Sequence, residues 1–394
     1  MRVLSVSTLF PSPARPAFGK FVSSQMQAVA TRGDVDLVLL NPLGMPPWPL
    51  SRREPYRGLA GNPQRSELNG IPVHHPRFTT IPLIGGDGNA ARMARAILPL
   101  VRELHAERRF DLVDAQFFFP DGPTAAILAR ALELPLTIKA RGSDVHYWGS
   151  RPAALAAMRD AASQSACLLA VSEALRRDMI GLGMPGDRIV VHYTGLDHRR
   201  FRPIPREEAR TRIAELAGLH EEERLLVTPG ALIPIKGQRI ALAALAQLPG
   251  ARLALAGTGA DETELRSLAA NLGVAERVSF LGQVSHDLLP TLLSAADAVV
   301  LPSEREGLAN AWIEALACGT PLVIPDVGGA AEIVRDATAG RLVERTPQAI
   351  AAAVCDLLIA LPDQQAVAAN AARFSWEANA AGLVELWRRA AGTA

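Results

Sequence analysis

Two glutamates flank a predicted helix start in the second half of the chain. The stretch 302–323 reads PSEREGLANAWIEALACGTPLV; its polar first part predicts a loop, and Ala309 to Ala317 predicts a helix. A helix N-terminus presents free N–H groups and a positive dipole, which suit a diphosphate. Glu306 and Glu314 are eight residues apart, roughly 12 Å on a helix. They are too far apart to share one proton but could hold the two ends of an extended ligand, and two solvated glutamates would have the same spacing.

Other motifs that carry chemistry are missing from the sequence. The first predicted strand is followed by FPSPARPAFGKF and not by GxGxxG, so no dinucleotide cofactor is expected. The GTG at Gly257 to Gly259 is typical of a tight turn from strand to helix. We find no nucleophile elbow, no HExxH and no Asp-x-Asp loop. We therefore expect no cofactor and no metal.

Strand-like apolar runs alternate with amphipathic helices along the chain, which is typical of parallel sheets with helices on both faces. The fold class is therefore α/β, with two doubly wound domains and a ligand crevice at the carboxyl ends of their strands. The predicted strands are RVLSVSTLF, VDLVLLNP, LVDAQFF, LPLTIKARG, CLLAVS, LLVTPGAL, RLALAGTG, RVSFLGQ, AVVLPS and PLVIPD. The predicted helices are Ser23 to Thr31, Arg92 to Arg108, Ala154 to Ser163, Gly237 to Ala246, Thr263 to Leu272 and Ala309 to Ala317.

The 394 residues exclude a single small module. The polar, proline-rich DHRRFRPIPR predicts a linker, so we place one domain at 1–205 and a second at 206–377, with a helix at about 378–394 returning to the first.

The net charge of +1 gives no reason to expect nucleic acid. Residues 1–205 carry 25 basic and 17 acidic side chains, whereas residues 206–394 carry 16 and 23. Either the two domains attract each other, or the first meets an anionic partner or membrane surface.

The cysteines and the apolar stretches of the sequence indicate where in the cell the protein is expected. Cys167, Cys318 and Cys355 lie in apolar contexts without metal-ligand spacing, which predicts buried, reduced thiols and a cytoplasmic protein. No stretch is long and apolar enough to span a membrane. Residues 44–65 combine Trp48, Leu50 and Tyr56 with arginines, and the basic, amphipathic helix Arg92 to Arg108 favours peripheral contact with an anionic membrane. An ordinary flexible loop is the alternative for 44–65.

The helix-start segment resembles a known family of enzymes. EGLANAWIE fits the Glu-x7-Glu motif of retaining glycosyltransferase family 4, and EALACGTPLVIPDVGGAAEIV continues the likeness. Similar segments follow the family's order across most of residues 140–376: GLDHRRFRP, GALIPIKGQ, LAGTG, RVSFLGQV and FSWEA. The first 135 residues match more weakly, so the resemblance says most about the second half.

The resemblance implies a GT-B architecture, two Rossmann-like domains facing a cleft, with a nucleotide-sugar donor on the second domain and the acceptor on the first. Glu314 would hold the ribose, Glu306 the transferred sugar, and Lys236 would neutralise the leaving phosphate as its charge grows. Further donor-binding residues implied by the motifs are Gly230, Gly257, Gly259, Gly282, Gln283, Gly307, Leu308, Ala309 and Asn310. On the acceptor side they are Phe18, Gly19 and Lys20.

The sequence departs from the family pattern at two places. Ala231 follows Gly230 where the family has an arginine, so that phosphate contact is absent or supplied elsewhere, with Arg239, Arg305 or Lys20 as candidates. The family's His-Gly-x-Asp is replaced by Arg-Gly-Ser-Asp, with a histidine nearby. The candidate catalytic residues there are Arg141, Asp144 and His146, and the proton-handling group stays open.

The implied activity is metal-independent, retaining hexosyl transfer by front-face attack, in which the donor phosphate accepts the acceptor's proton. The expected partners are a UDP- or GDP-sugar and a glycan or lipid-linked glycan in cell-surface polysaccharide synthesis. The expected location is the cytoplasm, including the inner face of the membrane. A nucleotide-sugar epimerase or hydrolase would keep the donor site, and Ala231 would also fit a non-catalytic donor-binding subunit.

Overall fold

The computed structural model describes residues 1–16, 18–54, 56–81, 86–220 and 223–393. The chain forms two compact units, Met1–Gly195 with Trp376–Ala394, and Leu196–Ser375. The first boundary lies ten residues before the predicted position at 205, because the linker bonds to the second unit. Ile204 N donates to Ser294 Oγ at 3.2 Å, and His198 Nε2 lies 3.0 Å from Phe374 O.

The first unit contains an eight-stranded sheet in the order β10-β9-β8-β7-β1-β2-β5-β4, and the separate pair β3-β6. All of its strand pairs are parallel except β4 with β5. The strands are β1 Arg2–Val6, β2 Asp36–Leu40, β3 Leu43–Met45, β4 Arg65–Leu68, β5 Ile71–His74, β6 Arg77–Thr79, β7 Leu112–Ala115, β8 Leu136–Ala140, β9 Cys167–Ala170 and β10 Ile189–Val191.

Helices connect these strands as the apolar periodicity requires. The helices of this part of the chain are α1 Lys20–Thr31, α2 Tyr56–Ala60, α3 Asn89–Glu107, α4 Asp121–Leu132, α5 Ser143–Gly149, α6 Pro152–Gln164 and α7 Glu173–Gly181. The central strands β7, β8 and β9 are buried along their whole length. Strands covered on both faces are typical of a parallel sheet.

The second unit contains a six-stranded, fully parallel sheet in the order β13-β12-β11-β14-β15-β16. Its strands are β11 Arg224–Pro229, β12 Ala251–Ala256, β13 Val278–Gly282, β14 Ala298–Val300, β15 Leu322–Pro325 and β16 Gly340–Val343. Its helices are α8 Arg206–Ala217, α9 Gln238–Leu245, α10 Glu262–Asn271, α11 Leu289–Ala295, α12 Asn310–Ala317, α13 Ala330–Ile333, α14 Pro347–Ile359 and α15 Gln364–Ala369.

The last helix, α16 (Trp376–Ala390), belongs to the first unit. Its apolar face joins the core formed by α1 and the sheet. The side chain of Trp387 is fully buried there, and its Nε1 donates to Asp114 Oδ1 on β7 at 3.1 Å. The C-terminal segment therefore closes the core of the N-terminal unit.

The predicted α/β class with two parallel sheets is confirmed. Segment 44–65, considered as a flexible loop, contains the end of β3, a 3₁₀ turn at Leu50–Arg52 and α2. The expectation of three buried thiols is wrong for Cys355, which is exposed on α14, whereas Cys167 and Cys318 are buried. Within the described ranges, no helix is both long and apolar enough to cross a membrane.

Candidate donor site and acceptor-side cavity

Lys236 and Glu306, which the sequence assigned to one site, are in direct contact in the second unit. Lys236 Nζ donates to Glu306 Oε1 at 2.5 Å, and Ser303 Oγ donates to the same oxygen at 2.8 Å. The side chains of Lys236 and Glu306 are 23% and 12% exposed, so both remain reachable from solvent. Neither bond uses Glu306 Oε2, which leaves that oxygen available to a ligand hydroxyl.

The loop that carries Lys236 folds through backbone positions that require glycine. Gly230 and Gly237 have φ angles of +126° and +72°. A Cβ on Gly237 would lie 2.1 Å from Pro302 O, and a Cβ on Gly257 would lie 1.9 Å from Gly230 O. We call residues 230–237 the phosphate loop, after the role that the family resemblance implies. The turn after β12 and the loop before α12 approach this loop so closely that a side chain at Gly237 or Gly257 would clash with backbone.

Two further predicted glycines belong to the same cluster of turns. A Cβ on Gly259 would lie 2.1 Å from Leu232 O. Gly282 ends β13 with φ +63° and forms an isolated bridge with Gly257. Gln283, the next residue, is exposed. The predicted glycines after β11, β12 and β13 thus lie at the carboxyl ends of neighbouring strands.

Helix α12 begins without a side-chain cap. Ala309 is its N-cap residue in extended conformation, and within the described ranges no side-chain cap hydrogen bond is formed. Gly307, Leu308 and Ala309 are buried, while Asn310 is partly exposed. Gly307 O accepts a bond from Gly329 N at 2.9 Å, which holds the approach to the helix. The uncapped first turn, adjacent to Glu306, leaves N–H groups for an anion.

Glu314 occupies the second turn of α12 and is partly buried. Burial alone raises the pKa of Glu314 to about 7. The two glutamates therefore differ in environment, because Glu306 contacts a lysine and a hydroxyl whereas burial dominates the surroundings of Glu314.

The position that lacks the family's arginine is exposed, and its candidate substitutes differ. Gln238 Nε2 donates to Ala231 O at 2.8 Å, so the loop backbone is fixed even with a small residue there. The guanidinium of Arg239 forms an ion pair with Glu264 on α10. Arg305 lies in the loop next to Glu306, 3.8 Å from Glu304 and largely exposed. Arg305 is therefore the freer of these two cations of the second unit.

Asp144 and Arg141 in the first unit are tied into the protein. Asp144 is fully buried, and its two oxygens accept bonds from the backbone N–H groups of Phe118, Arg141, Gly142 and Val145 at 2.6–3.2 Å. Burial raises the pKa of Asp144 although these bonds oppose the shift. The carboxylate of Asp144 thus bonds the backbone after β7, at Phe118, to the backbone after β8.

The Arg141 guanidinium donates to Gln116 O and Gln116 Oε1, both at 2.7 Å, and to Gln25 Oε1 at 2.9 Å. Burial lowers the pKa of Arg141 to about 10. His146 is partly exposed on α5, and its Nε2 lies 2.9 Å from Asp178 Oδ2. All three predicted catalytic residues of this unit thus bond to other protein groups. Among the contacts given above, only the bond from Arg141 N to the Asp144 carboxylate joins two of the three residues.

A cavity of about 360 Å³ lies at the carboxyl ends of the strands in the first unit. Aromatic and aliphatic side chains form most of its wall, and Thr8, Ser12, Arg15, Asn41 and Thr80 add polar groups. Phe18, one of the predicted acceptor-side residues, lines this cavity.

Gly19 and Lys20 flank this cavity in sequence but do not line it. Gly19 caps α1 with φ +68°, and a Cβ there would lie 2.4 Å from Leu9 O. Lys20 begins the helix. Gly19 therefore shapes the turn after β1, and the positive charge of Lys20 lies at the start of α1.

The sequence analysis missed a contact between Thr8, in the cavity wall, and the buried Asp121. Thr8 N and Thr8 Oγ1 donate to the two oxygens of Asp121 at 2.9 and 2.8 Å. Burial raises the pKa of Asp121 to about 7. The two residues are 113 positions apart in the chain, so no local pattern could reveal the contact. The sequence analysis also missed the contact of Ser303 with Glu306. A sequence signal for this contact exists, because Ser303 and Glu306 have the Ser-x-x-Glu spacing of a capping box.

Comparison with known proteins covers both units. The profile of the family described as glycosyl transferases group 1 matches residues 210–388, and the profile of the glycosyl transferase 4-like domain matches residues 19–195. Sucrose-phosphate synthase from Thermosynechococcus elongatus has a similar fold, with a TM-score of 0.81 over 100% of both chains at 19% identity. The chain belongs to the glycosyltransferases with the GT-B fold. Anabaena HepE, solved in complex with UDP, is likewise similar to this glycosyltransferase, with a TM-score of 0.74 over 98% of this chain and 99% of HepE at 22% identity.

Curated relatives of the glycosyltransferase match over part of their length. D-inositol 3-phosphate glycosyltransferase of Mycobacterium marinum is 40% identical over 217 residues, which are 52% of this chain and 46% of that protein. The Mycobacterium tuberculosis protein of the same name is 39% identical over 230 residues, 55% of this chain and 47% of its own. The matched region spans about half the length of these relatives.

Proposed function

We propose that this glycosyltransferase moves a hexose from a nucleoside diphosphate sugar to a hydroxyl of a glycan or lipid-linked glycan, with retention of configuration, in cell-surface polysaccharide synthesis. The contact between Lys236 Nζ and Glu306 Oε1 carries the proposal. It brings a cation and a carboxylate from separate loops to the uncapped start of α12. A diphosphate needs the cation and the helix amides, and a sugar hydroxyl needs the carboxylate.

Each group has a role that follows from its environment. The ionised carboxylate of Glu314 accepts the ribose hydroxyls, and the first amides of α12 hold the diphosphate. The ammonium of Lys236 stabilises the charge that grows on the leaving phosphate. Glu306 uses Oε2 for a hydroxyl of the transferred sugar while Oε1 stays bonded to Lys236 and Ser303.

The proposed reaction needs no protein nucleophile. The acceptor hydroxyl attacks from the face that the phosphate leaves, and the departing phosphate oxygen takes its proton. Asp144 and Arg141, whose polar atoms bond to neighbouring backbone and side chains, support the fold of the acceptor side. Anomeric configuration of the product, read by NMR coupling constants, tests retention; an inverted product would contradict the proposal.

We propose that transfer proceeds without a metal ion. Within the described ranges, no three His, Cys, Asp or Glu side chains are grouped as metal ligands, and Lys236 with the helix amides supplies positive charge at the phosphate. Activity after treatment with a chelator should equal that of untreated enzyme. Loss of activity that magnesium or manganese restores would contradict metal independence.

The relatives indicate which substrates to test first. HepE has been solved with UDP-glucose, which favours a UDP-sugar donor over a GDP-sugar. The matched mycobacterial proteins are named for D-inositol 3-phosphate, and Arg15 in the acceptor-side cavity supplies a cation for such a phosphate. A lipid-linked glycan would place the enzyme at the inner face of the membrane.

Turnover separates the proposal from its alternatives. The purified enzyme is incubated with UDP-sugars and GDP-sugars, each with and without inositol phosphates and lipid-linked glycans. Product that forms only with an acceptor supports transfer. Donor hydrolysis or epimerisation at the same rate without acceptor indicates the alternative enzymes, and donor binding without any turnover indicates a non-catalytic subunit.

A further inference from the structure

Several exposed apolar side chains belong to the segments that line the cavity of the first unit, or follow them closely in sequence. Trp48 is 74% exposed, Phe18 43% and Leu50 40%. Phe18 lines the cavity directly. The 3₁₀ turn that begins at Leu50 packs against α2, whose Tyr56 also lines the cavity. Ile81, 45% exposed, follows Thr80 of the cavity wall. We call Phe18, Trp48, Leu50 and Ile81 the apolar rim.

Arginines accompany the apolar rim. Arg52 and Arg53 are exposed in the same turn as Leu50, and among the described residues neither forms an ion pair. Arg57 on α2 is paired with Glu54 at 3.3 Å with both side chains largely exposed, so solvent screens that pair. Arg15 lies over the ring of Phe18, 5.8 Å from its centre. The rim therefore presents a net positive charge next to solvent-exposed aromatic and aliphatic groups.

Exposed apolar side chains next to arginines favour a lipid membrane as the partner. Tryptophan is favoured where headgroups meet acyl chains, and arginines there bind lipid phosphates while their stems remain in apolar surroundings. Ile359, which is 85% exposed in the second unit, lies between Leu358 and Ala360 and thus lacks an adjacent arginine.

We propose that the apolar rim and Arg52, Arg53 and Arg57 form a docking surface for an anionic lipid bilayer. Docking places the mouth of the cavity at the headgroup layer, where a lipid-linked acceptor would present its sugar. The docking surface goes beyond the transfer reaction and does not depend on it, because vesicle binding needs neither donor nor turnover.

The test uses the full-length protein and sedimentation with vesicles of phosphatidylcholine, with and without phosphatidylglycerol. We expect binding to the anionic vesicles, weakening as salt rises, and little binding to the neutral ones. The double substitution Arg52→Glu and Arg53→Glu should reduce the partition coefficient by at least about tenfold. Arg109→Glu with Arg177→Glu, two exposed arginines elsewhere on the first unit, removes the same charge and should change it much less.

Insertion is tested separately from charge. Lipids brominated in the acyl chains should quench the fluorescence of Trp48, and Trp48→Tyr should lose that quenching while retaining part of the binding. Trp48→Ala should weaken binding several-fold, whereas Ile359→Ala should not. Circular dichroism and donor-induced thermal stabilisation verify that each variant is folded.

Three outcomes would overturn the proposal. One is equal binding to neutral and anionic vesicles, another is equal loss in the matched control variants, and the third is absence of binding to vesicles by folded protein. Self-association through the rim, seen as a dimer that Trp48→Ala dissociates in the absence of lipid, would assign the surface to a second copy of the chain instead.

Discussion

At the scale of single residues, the two glutamates near α12 have different electrostatic environments. Glu306 is bonded to Lys236 and Ser303, whereas burial raises the pKa of Glu314 to about 7. The first carboxylate already accepts hydrogen bonds from two protein groups, whereas the second gains from a ligand that donates hydrogen bonds to it. Because the two environments differ, we expect substitution of Glu306 and substitution of Glu314 to impair different steps of the reaction.

Lys236→Ala should lower turnover by on the order of 100-fold, because the ammonium stabilises charge that grows on the leaving phosphate. Its effect on unfolding free energy should stay within about 1 kcal/mol, since the ion pair with Glu306 is partly open to solvent. Single-turnover kinetics and urea unfolding measure the two effects. Arg239→Ala is the control, because Arg239 pairs with Glu264 away from Glu306. Equal rates for both variants would contradict the phosphate role.

Glu306→Ala should depress kcat more than donor affinity, and Glu314→Ala should chiefly weaken donor binding. Glu306 is assigned to the sugar, whose ring changes shape in the transition state, while the ribose assigned to Glu314 does not change. Calorimetry of donor binding, combined with single-turnover rates, separates the two. Changes within about 0.5 kcal/mol for both variants would show that they are ordinary surface carboxylates.

Donor affinity should rise with pH through about 7. The carboxyl of Glu314 is neutral below its pKa of about 7 and ionised above it, and only the ionised form accepts both ribose hydroxyls. Affinity therefore increases as pH rises and levels off above the pKa. UDP-glucose is a suitable probe because its diphosphate diester does not titrate in this range. Glu314→Gln should show a flat profile, and a slope that persists in this variant would assign the titration to another group.

At the scale of elements, the donor site depends on close approach between loops. Glu304 N donates to Ile235 O at 2.8 Å, and Leu232 N donates to Thr258 O at 3.0 Å. These bonds join the phosphate loop to the loop before α12 and to the turn after β12. The parallel order of β12, β11 and β14 brings all three loops to one edge of the sheet.

Gly237→Ala should reduce donor affinity at least about tenfold and cost more than 2 kcal/mol of stability, because a Cβ there would lie 2.1 Å from Pro302 O. Gly250→Ala is a matched control: its φ is +78°, close to the +72° of Gly237, but a Cβ at Gly250 meets nothing within 4 Å. It should cost only the strain of the left-handed region, about 1 kcal/mol. Calorimetry and urea unfolding measure both variants, and equal effects would exclude a steric cause.

At the scale of the molecule, the C-terminal helix completes a unit whose other residues lie at the N-terminal end of the chain. Lys139 Nζ lies 2.7 Å from His192 Nδ1, and His192 Nε2 donates to Asn379 O on α16 at 2.9 Å. Burial lowers the pKa of both Lys139 and His192. This buried chain of bonds fixes α16 to the sheet.

Trp387→Phe should destabilise the first unit by about 2–4 kcal/mol, because it opens a cavity and removes the Nε1 donor of buried Asp114. Arg389→Ala, on an exposed position of the same helix, should change stability by less than about 0.5 kcal/mol. Thermal unfolding with and without UDP distinguishes the units, because a nucleotide bound at the proposed donor site would stabilise the second unit. Selective loss in the second unit would contradict the packing argument.

The sequence by itself determined the α/β class, the predicted strands and the helix that starts after Glu306. These features depend on apolar periodicity and turn residues, which are local properties of the chain. The family motifs predicted roles for Lys236, Glu306 and the glycines of the phosphate loop, and these roles stay predictions. A run such as RLALAGTG predicts both a buried strand and the tight turn after it.

Only the tertiary structure decided which residues meet. Lys236 and Glu306 are 70 residues apart, and Thr8 and Asp121 are 113 apart; neither contact has a local pattern, because both depend on the order of strands in a sheet. The tertiary structure also gave Asp144 four backbone partners and left Cys355 on an exposed position of α14. The pKa values of Asp121 and Glu314 arise from burial, which depends on the packing of distant segments and not on neighbours in sequence.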